Sequence, residues 1–102
     1  MSKDIETDCV RVNPSTPVTF TPKYSNFISC SDRVKSFKNW PKQMRQQPNE
    51  LAKNGFFYGG VTDQVICFCC GVGMQSWNVN DVIEHEHRKW TPRCEYLRMT
   101  LS

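Results

Sequence analysis

The sequence predicts an α+β fold: a small three-stranded antiparallel sheet flanked by short helices. Three observations carry that expectation. The apolar period changes from helical to alternating and back to helical along the chain. Gly, Pro and Asn-Gly signals punctuate it at short intervals. Four of the six cysteines fall between Cys67 and Cys94, beside both histidines, at metal-ligand spacing.

A chain of 102 residues predicts one domain. Residues 1–29 are rich in Ser, Thr, Pro and Asp. Pro14, Pro17 and Pro22 interrupt any period there, so this stretch reads as a flexible arm or linker. The domain is expected over 30–99, with 100–102 as a tail. Only about seventy residues remain to build a core, a size at which a staple is expected. No apolar run follows Met1 in the manner of a signal peptide. Cys67, Cys69 and Cys70 crowd together where a disulfide framework would spread its bridges. In a reducing compartment that pattern reads as metal binding, and a cytoplasmic location is expected.

The net charge is +3. Lys35, Lys38, Lys42, Arg45 and Lys53 are interrupted by apolar and acidic residues, which reads as solvated helix faces rather than a nucleic-acid footprint. No apolar run is long enough to span a membrane.

The first helix is expected near Ser29 or Ser31, with Ser29 and Asp32 at capping-box spacing. Val34, Phe37 and Trp40 share one face, and Pro41 ends the helix. A second helix starts at Pro48, turns Leu51 and Ala52 inward and stops at Asn54-Gly55. Phe56-Phe57-Tyr58 is the first strand and Val65 to Phe68 the second, with Gly59-Gly60 and Thr62-Asp63 in the turns between them. Gly71 and Gly73 allow a tight knuckle and a return strand through Met74, Gln75 and Ser76. Asn80 or Asp81 caps a third helix running to Trp90. After Pro92, Cys94 to Met99 makes a last short helix that packs Tyr96 or Leu97.

Cys67 and Cys70 form a Cys-x-x-Cys pair on a strand that turns into a glycine-rich bend, a geometry in which two thiolates converge on one ion. Zinc takes four N or S ligands, so Cys67, Cys70, one histidine and Cys94 complete a closed tetrahedron. His85 and His87 point about 200° apart on a helix, and spacing alone does not choose between them. Cys69 lies between the paired cysteines and is expected on the opposite strand face. Cys9, Cys30 and Cys69 read as free thiols. A filled tetrahedron leaves no position for activated water, so the ion is expected to be structural and the domain not an enzyme.

The residues Arg33, Phe37, Trp40-Pro41, Leu51-Ala52, Gly55-Phe56, Tyr58, Gly60, Asp63, Val65, Cys67-Phe68, Cys70, Trp77, Glu86-His87, Trp90, Pro92 and Cys94 stand in a pattern that resembles the baculoviral IAP repeat (BIR). This is the zinc module of inhibitor-of-apoptosis proteins. The resemblance covers residues 30–99, and the Pro22-Lys23-Tyr24 lead-in is similar to insect and insect-virus members. The family spacing Cys-x2-Cys-x16-His-x6-Cys implies His87 as the fourth ligand.

The resemblance also implies a peptide groove. Gly73 stands where grooved members keep glycine, so that a peptide backbone can add along the third strand through Gly73 and Gln75. Met74 and Trp77 would line a small pocket for an alanine methyl. Asp81 and Glu86 would hold the peptide ammonium by charge-assisted bonds. Trp90 would wall the third peptide residue. Thr91 and Val82-Ile83-Glu84 depart from the usual aromatic and acidic-Pro-Trp residues at their positions.

The implied function is an anti-apoptotic interaction module. It would bind Ala-initiated N-termini of IAP antagonists and of caspases, and so suppress caspase activity. Direct caspase inhibition through the flanking arm is the alternative within that class, and a nucleic-acid-binding zinc finger the alternative outside it. No second cysteine and histidine cluster follows Cys94, so ubiquitin-ligase activity is not expected in these residues.

Overall fold

The computed structural model describes residues 21–100. Helix α1 (Cys30–Lys35) runs directly into a 3-10 turn (Ser36–Asn39). Ser29 stands at the N-cap position, but its Oγ lies 3.1 Å from Ser31 Oγ and caps nothing, so the expected Ser29–Asp32 box does not form. Trp40 is extended, as the residue before a proline must be, and its indole N–H donates to Gln46 O at 2.9 Å. Phe37 and Trp40 are buried edge to face and both reach Tyr58; Val34 is only half-buried.

Helix α2 (Pro48–Lys53) begins on its proline, and the Glu50 carboxylate accepts the Gln47 N–H at 3.4 Å. Leu51 and Ala52 are fully buried. The chain then turns through Gly55 at φ 94°, where a side chain would press on the Tyr96 ring at 3.0 Å.

Strands β1 (Phe56–Tyr58), β2 (Val65–Cys67) and β3 (Gly73–Met74) form one antiparallel sheet in that order, pairing Phe56 with Cys67 and Val65 with Met74. Strand β3 is shorter than expected and stops before Gln75 and Ser76. Ser76 takes φ 62°, and the Asp63 carboxylate captures the N–H groups of Ser76 and Trp77 at 2.9 and 2.7 Å, which pulls the chain off the ladder.

Helix α3 (Ile83–Trp90) also starts later than expected, with Val82 rather than Asn80 or Asp81 at the N-cap. The Asp81 carboxylate is engaged in its own turn, accepting the Asn78 N–H at 2.9 Å, and so does not cap the helix. Gln46 Nε2 donates to the carbonyls of Asn78 and Asp81 at 2.8 and 3.0 Å, and the Arg45 guanidinium donates to those of Val79 and Asp81. Helix α4 (Glu95–Thr100) buries both Tyr96 and Leu97.

Of the expected arm, the described part packs onto this frame. Lys23 and Tyr24 N–H donate to Cys69 O and Phe68 O at 3.3 and 2.9 Å. The Phe27 ring stacks on Phe57 at 4.0 Å, and Tyr24 meets Phe57 edge-on at 5.1 Å. Residues 1–20 and the tail beyond Thr100 lie outside the described residues.

Candidate functional site

Four side chains from three parts of the fold meet in one cluster. Cys67 ends β2, Cys70 closes the knuckle that follows, His87 sits in α3, and Cys94 precedes α4. The knuckle is held by Gly71 N–H to Cys67 O at 3.0 Å and Cys67 N–H to Val72 O at 2.9 Å. All four ligand atoms lie within 4.8 Å of one another. Cys67 and Cys94 Sγ are 3.8 Å apart, and Cys70 Sγ is 3.7 Å from His87 Nε2. A disulfide would bring sulfurs to about 2 Å. Four arms of about 2.3 Å around one tetrahedral ion set them about 3.8 Å apart. The cluster therefore has the dimensions of a metal site.

Its electrostatics point the same way. Hydrogen bonds with Cys70 and Cys94, and then burial, push the Cys67 thiol far up. Cys94 is driven far down, first by Cys67 and then by Cys69 and Cys70. Cys70 is lowered, chiefly by Cys67. Burial alone would depress the His87 imidazole, but the Cys70 and Cys94 sulfurs outweigh it and raise its pKa. These sulfurs cannot all ionise so close together without a cation among them. The donor set, three sulfurs and one imidazole nitrogen, suits a soft or borderline divalent ion. Cys67, Cys70, His87 and Cys94 are thus positioned to bind a metal ion.

His85 is exposed and His87 is fully buried with Nε2 facing Cys70, so only His87 joins the cluster. The His87 Nδ1 has no hydrogen-bond partner among the described residues. The Thr91 hydroxyl donates to His87 O at 3.0 Å and lies 3.6 Å from Cys70 Sγ, bracing both ligands. Cys69 is a free thiol, as expected, but it lies in the turn after β2 rather than on the strand, so strand alternation does not apply; it is buried and its thiol is raised, first by bonding to Cys94 and then by burial. Cys30 is disulfide-bonded rather than a free thiol.

Beside the cluster, a cleft of about 360 Å³ opens between β3 and α3. It is lined by the seven residues expected for a groove, Gly73, Met74, Gln75, Trp77, Asp81, Glu86 and Trp90, together with Val72, which sequence reasoning missed. Met74 also belongs to the core, and Trp77 packs edge-on against Phe56 at 6.3 Å. Trp90 is 64% exposed, with the Lys89 ammonium 5.6 Å from its ring centroid. Both charged lining residues are acidic. Asp81 spends one oxygen on Asn78, and the Glu86 carboxylate has no partner among the described residues. A Cβ at Gly73 would meet nothing nearer than 3.9 Å, so internal packing does not require glycine there.

A larger hollow of about 600 Å³ borders Cys69, Cys70 and Cys94. Its wall includes two members of the metal cluster, and its charged residues, Arg93 and Glu95, are of opposite sign.

Fold and cluster together define a small domain with a Cys/His cluster positioned to bind a metal and an acidic cleft along one sheet edge. The family model described as "BIR: Inhibitor of Apoptosis domain" matches residues 33–98, and the chain belongs to that family. It is 52% identical over 65 residues to an inhibitor of apoptosis protein of Gallus gallus, covering 64% of this chain and 11% of that protein. It is 37% identical over 87 residues to the E3 ubiquitin-protein ligase IAP-3 of Orgyia pseudotsugata multicapsid polyhedrosis virus, covering 85% of this chain and 31% of that protein. The chain thus spans less than a third of the length of these relatives. The crystal structure of DIAP1 BIR1 bound to a Grim peptide superimposes with a TM-score of 0.66 at 34% identity, covering 72% of this chain and 74% of that one.

No helix among the described residues is long and apolar enough to cross a membrane.

Proposed function

We propose that this chain is an anti-apoptotic binding module that holds one structural Zn2+ at Cys67, Cys70, His87 and Cys94. In its cleft it captures free N-terminal, Ala-initiated peptides of IAP antagonists and caspases, and so restrains caspase activity in the cytoplasm. When bound, the ion supplies a fixed tetrahedral junction between the knuckle, α3 and the start of α4, and four protein ligands leave it no open position for catalysis. The role is therefore binding and not enzymatic. Residues 30–99 form the module in this reading, and the arm 1–29 precedes it.

The single observation that carries the reading is that Gly73, Gln75, Trp77, Asp81, Glu86 and Trp90 line one cleft whose charged residues are both carboxylates. A peptide backbone pairs along the open edge at Gly73. Its methyl enters between Met74 and Trp77, and its ammonium meets Glu86 and the unengaged oxygen of Asp81. Trp90 offers a rigid face to the third residue. An acidic cleft repels nucleic acid, so the nucleic-acid reading gains no support from it.

Titration with a fluorescent Ala-initiated peptide tests the proposal. The free amine binds and its N-acetylated twin does not. Equal binding of the two would remove the ammonium site, and binding that falls steeply with salt for an oligonucleotide probe would favour the nucleic-acid reading instead.

A further inference from the structure

Arg33 is 1% exposed, yet no carboxylate pairs with it among the described residues. Its donors are directed at uncharged acceptors. Nε donates to Ala52 O at 2.9 Å, one terminal nitrogen to Phe27 O and Ile28 O at 2.9 and 3.1 Å, and the other to the Tyr96 hydroxyl at 3.3 Å. Those bonds occupy four of the five N–H donors and leave the charge. A guanidinium does not shed its proton to escape burial, and a buried unpaired charge is strongly destabilising.

The placement of Arg33 suggests where the missing anion is. The guanidinium carbon stacks on the Phe68 ring, 4.5 Å from its centroid, and Phe68 is the chain neighbour of Cys67. It also stands 5.3 Å from the centroid of Tyr96, two residues beyond Cys94. Tyr96 and Cys67 Sγ both border Gly55, so the ring that the guanidinium faces neighbours the Cys67 sulfur. Three thiolates and a neutral imidazole around a divalent ion leave the cluster with one net negative charge. Attraction between that charge and a guanidinium falls only with distance and is weakly screened in the interior.

We propose that Arg33 is the buried counter-ion of the metal–thiolate cluster, a positioning residue that neutralises the anionic site from beneath. The inference rests on the zinc reading above. Burying the guanidinium and loading the metal are then coupled: each leaves the other with an uncompensated charge if it is removed.

The test is chelator competition for Zn2+ on the full chain as wild type, Arg33→Gln, Arg33→Lys, Cys70→His, and Arg33→Gln combined with Cys70→His. Wild type failing to take up zinc would sink the underlying zinc reading rather than this inference. Gln should weaken zinc binding about ten- to hundredfold when the cluster is anionic. It should weaken it less than about threefold when Cys70→His makes the cluster neutral, because no anion then needs a partner. Lys, which keeps the charge and loses the planar fork, should retain most of the affinity. Loss in both backgrounds, whether as weakened affinity or as failure to fold with zinc present, assigns Arg33 a packing role and overturns the proposal. So does a Lys variant as weak as Gln, which decides the matter even if Cys70→His itself binds poorly.

Discussion

Asp63 holds Trp77 by its backbone: the carboxylate of the β1–β2 turn accepts the Trp77 N–H at 2.7 Å and the neighbouring Ser76 N–H at 2.9 Å. This ties the hairpin tip to the chain that floors the cleft, and it fixes the backbone carrying the indole. Asp63→Ala leaves two backbone donors without their charged acceptor. A loss of about 2 kcal/mol in stability is expected. Peptide affinity should fall while zinc stoichiometry stays at one, measured by thermal melts and metal analysis of the same sample.

Gly73 separates fold from function. Nothing stands closer than 3.9 Å to a Cβ at that position, so Gly73→Ala should leave the melting behaviour of the free domain within about 0.5 kcal/mol of wild type. The same methyl intrudes on the strip where a peptide backbone would pair. Affinity for an Ala-initiated peptide should drop roughly tenfold or more by fluorescence titration. Unchanged affinity would place the peptide elsewhere.

Glu86 brings to the cleft a carboxylate with no partner among the described residues, whereas Asp81 already serves the Asn78 turn. Glu86→Gln keeps the shape and removes the charge. Loss of one charge-assisted bond corresponds to about 1.5–3 kcal/mol, or roughly ten- to a hundredfold in affinity. Asp81→Ala with Glu86→Ala should abolish binding, with some cost in stability from the turn that Asp81 holds. Calorimetry with the free-amine peptide reads both effects.

Metal removal should unfold the domain. Three sulfurs forced within 4.8 Å of each other and of a histidine lack a cation when the ion is stripped, and the core is too small to compensate. Chelation should abolish the near-ultraviolet signal of the tryptophans, and adding Zn2+ should restore it. A chelated chain that keeps that signal would show that the cluster is dispensable.

Burial would lower the His87 imidazole, but the Cys70 and Cys94 sulfurs outweigh it, so without the ion it holds its proton to higher pH than usual. Metal uptake needs that imidazole neutral and the thiols ionised. Zinc affinity should therefore rise with pH, by about tenfold or more per unit between pH 6 and 7. Competition with a chelator of known proton dependence measures the slope, and a flat profile would contradict the ligand set.

What the sequence determined by itself was the set of elements whose signals are local. The strand Phe56–Tyr58, the proline-started helix ending at Asn54-Gly55 and the metal spacing all lie within short runs, where period and turn chemistry are readable. His87 needed the family pattern, because two helical histidines look alike until one is buried. The tertiary structure decided everything that depends on a distant partner. Asp63 reads as a turn residue until it reaches Ser76 and Trp77, and that capture shortens β3. Asp81 reads as a helix cap until Asn78 claims it, and the helix then starts at Ile83. Arg33 is only one member of the family pattern until Ala52, Phe27, Ile28 and Tyr96 close around it. Local signals set which elements form. Long-range hydrogen bonds and charge compensation set where they end and what they hold, because those energies exist only once the chain has folded.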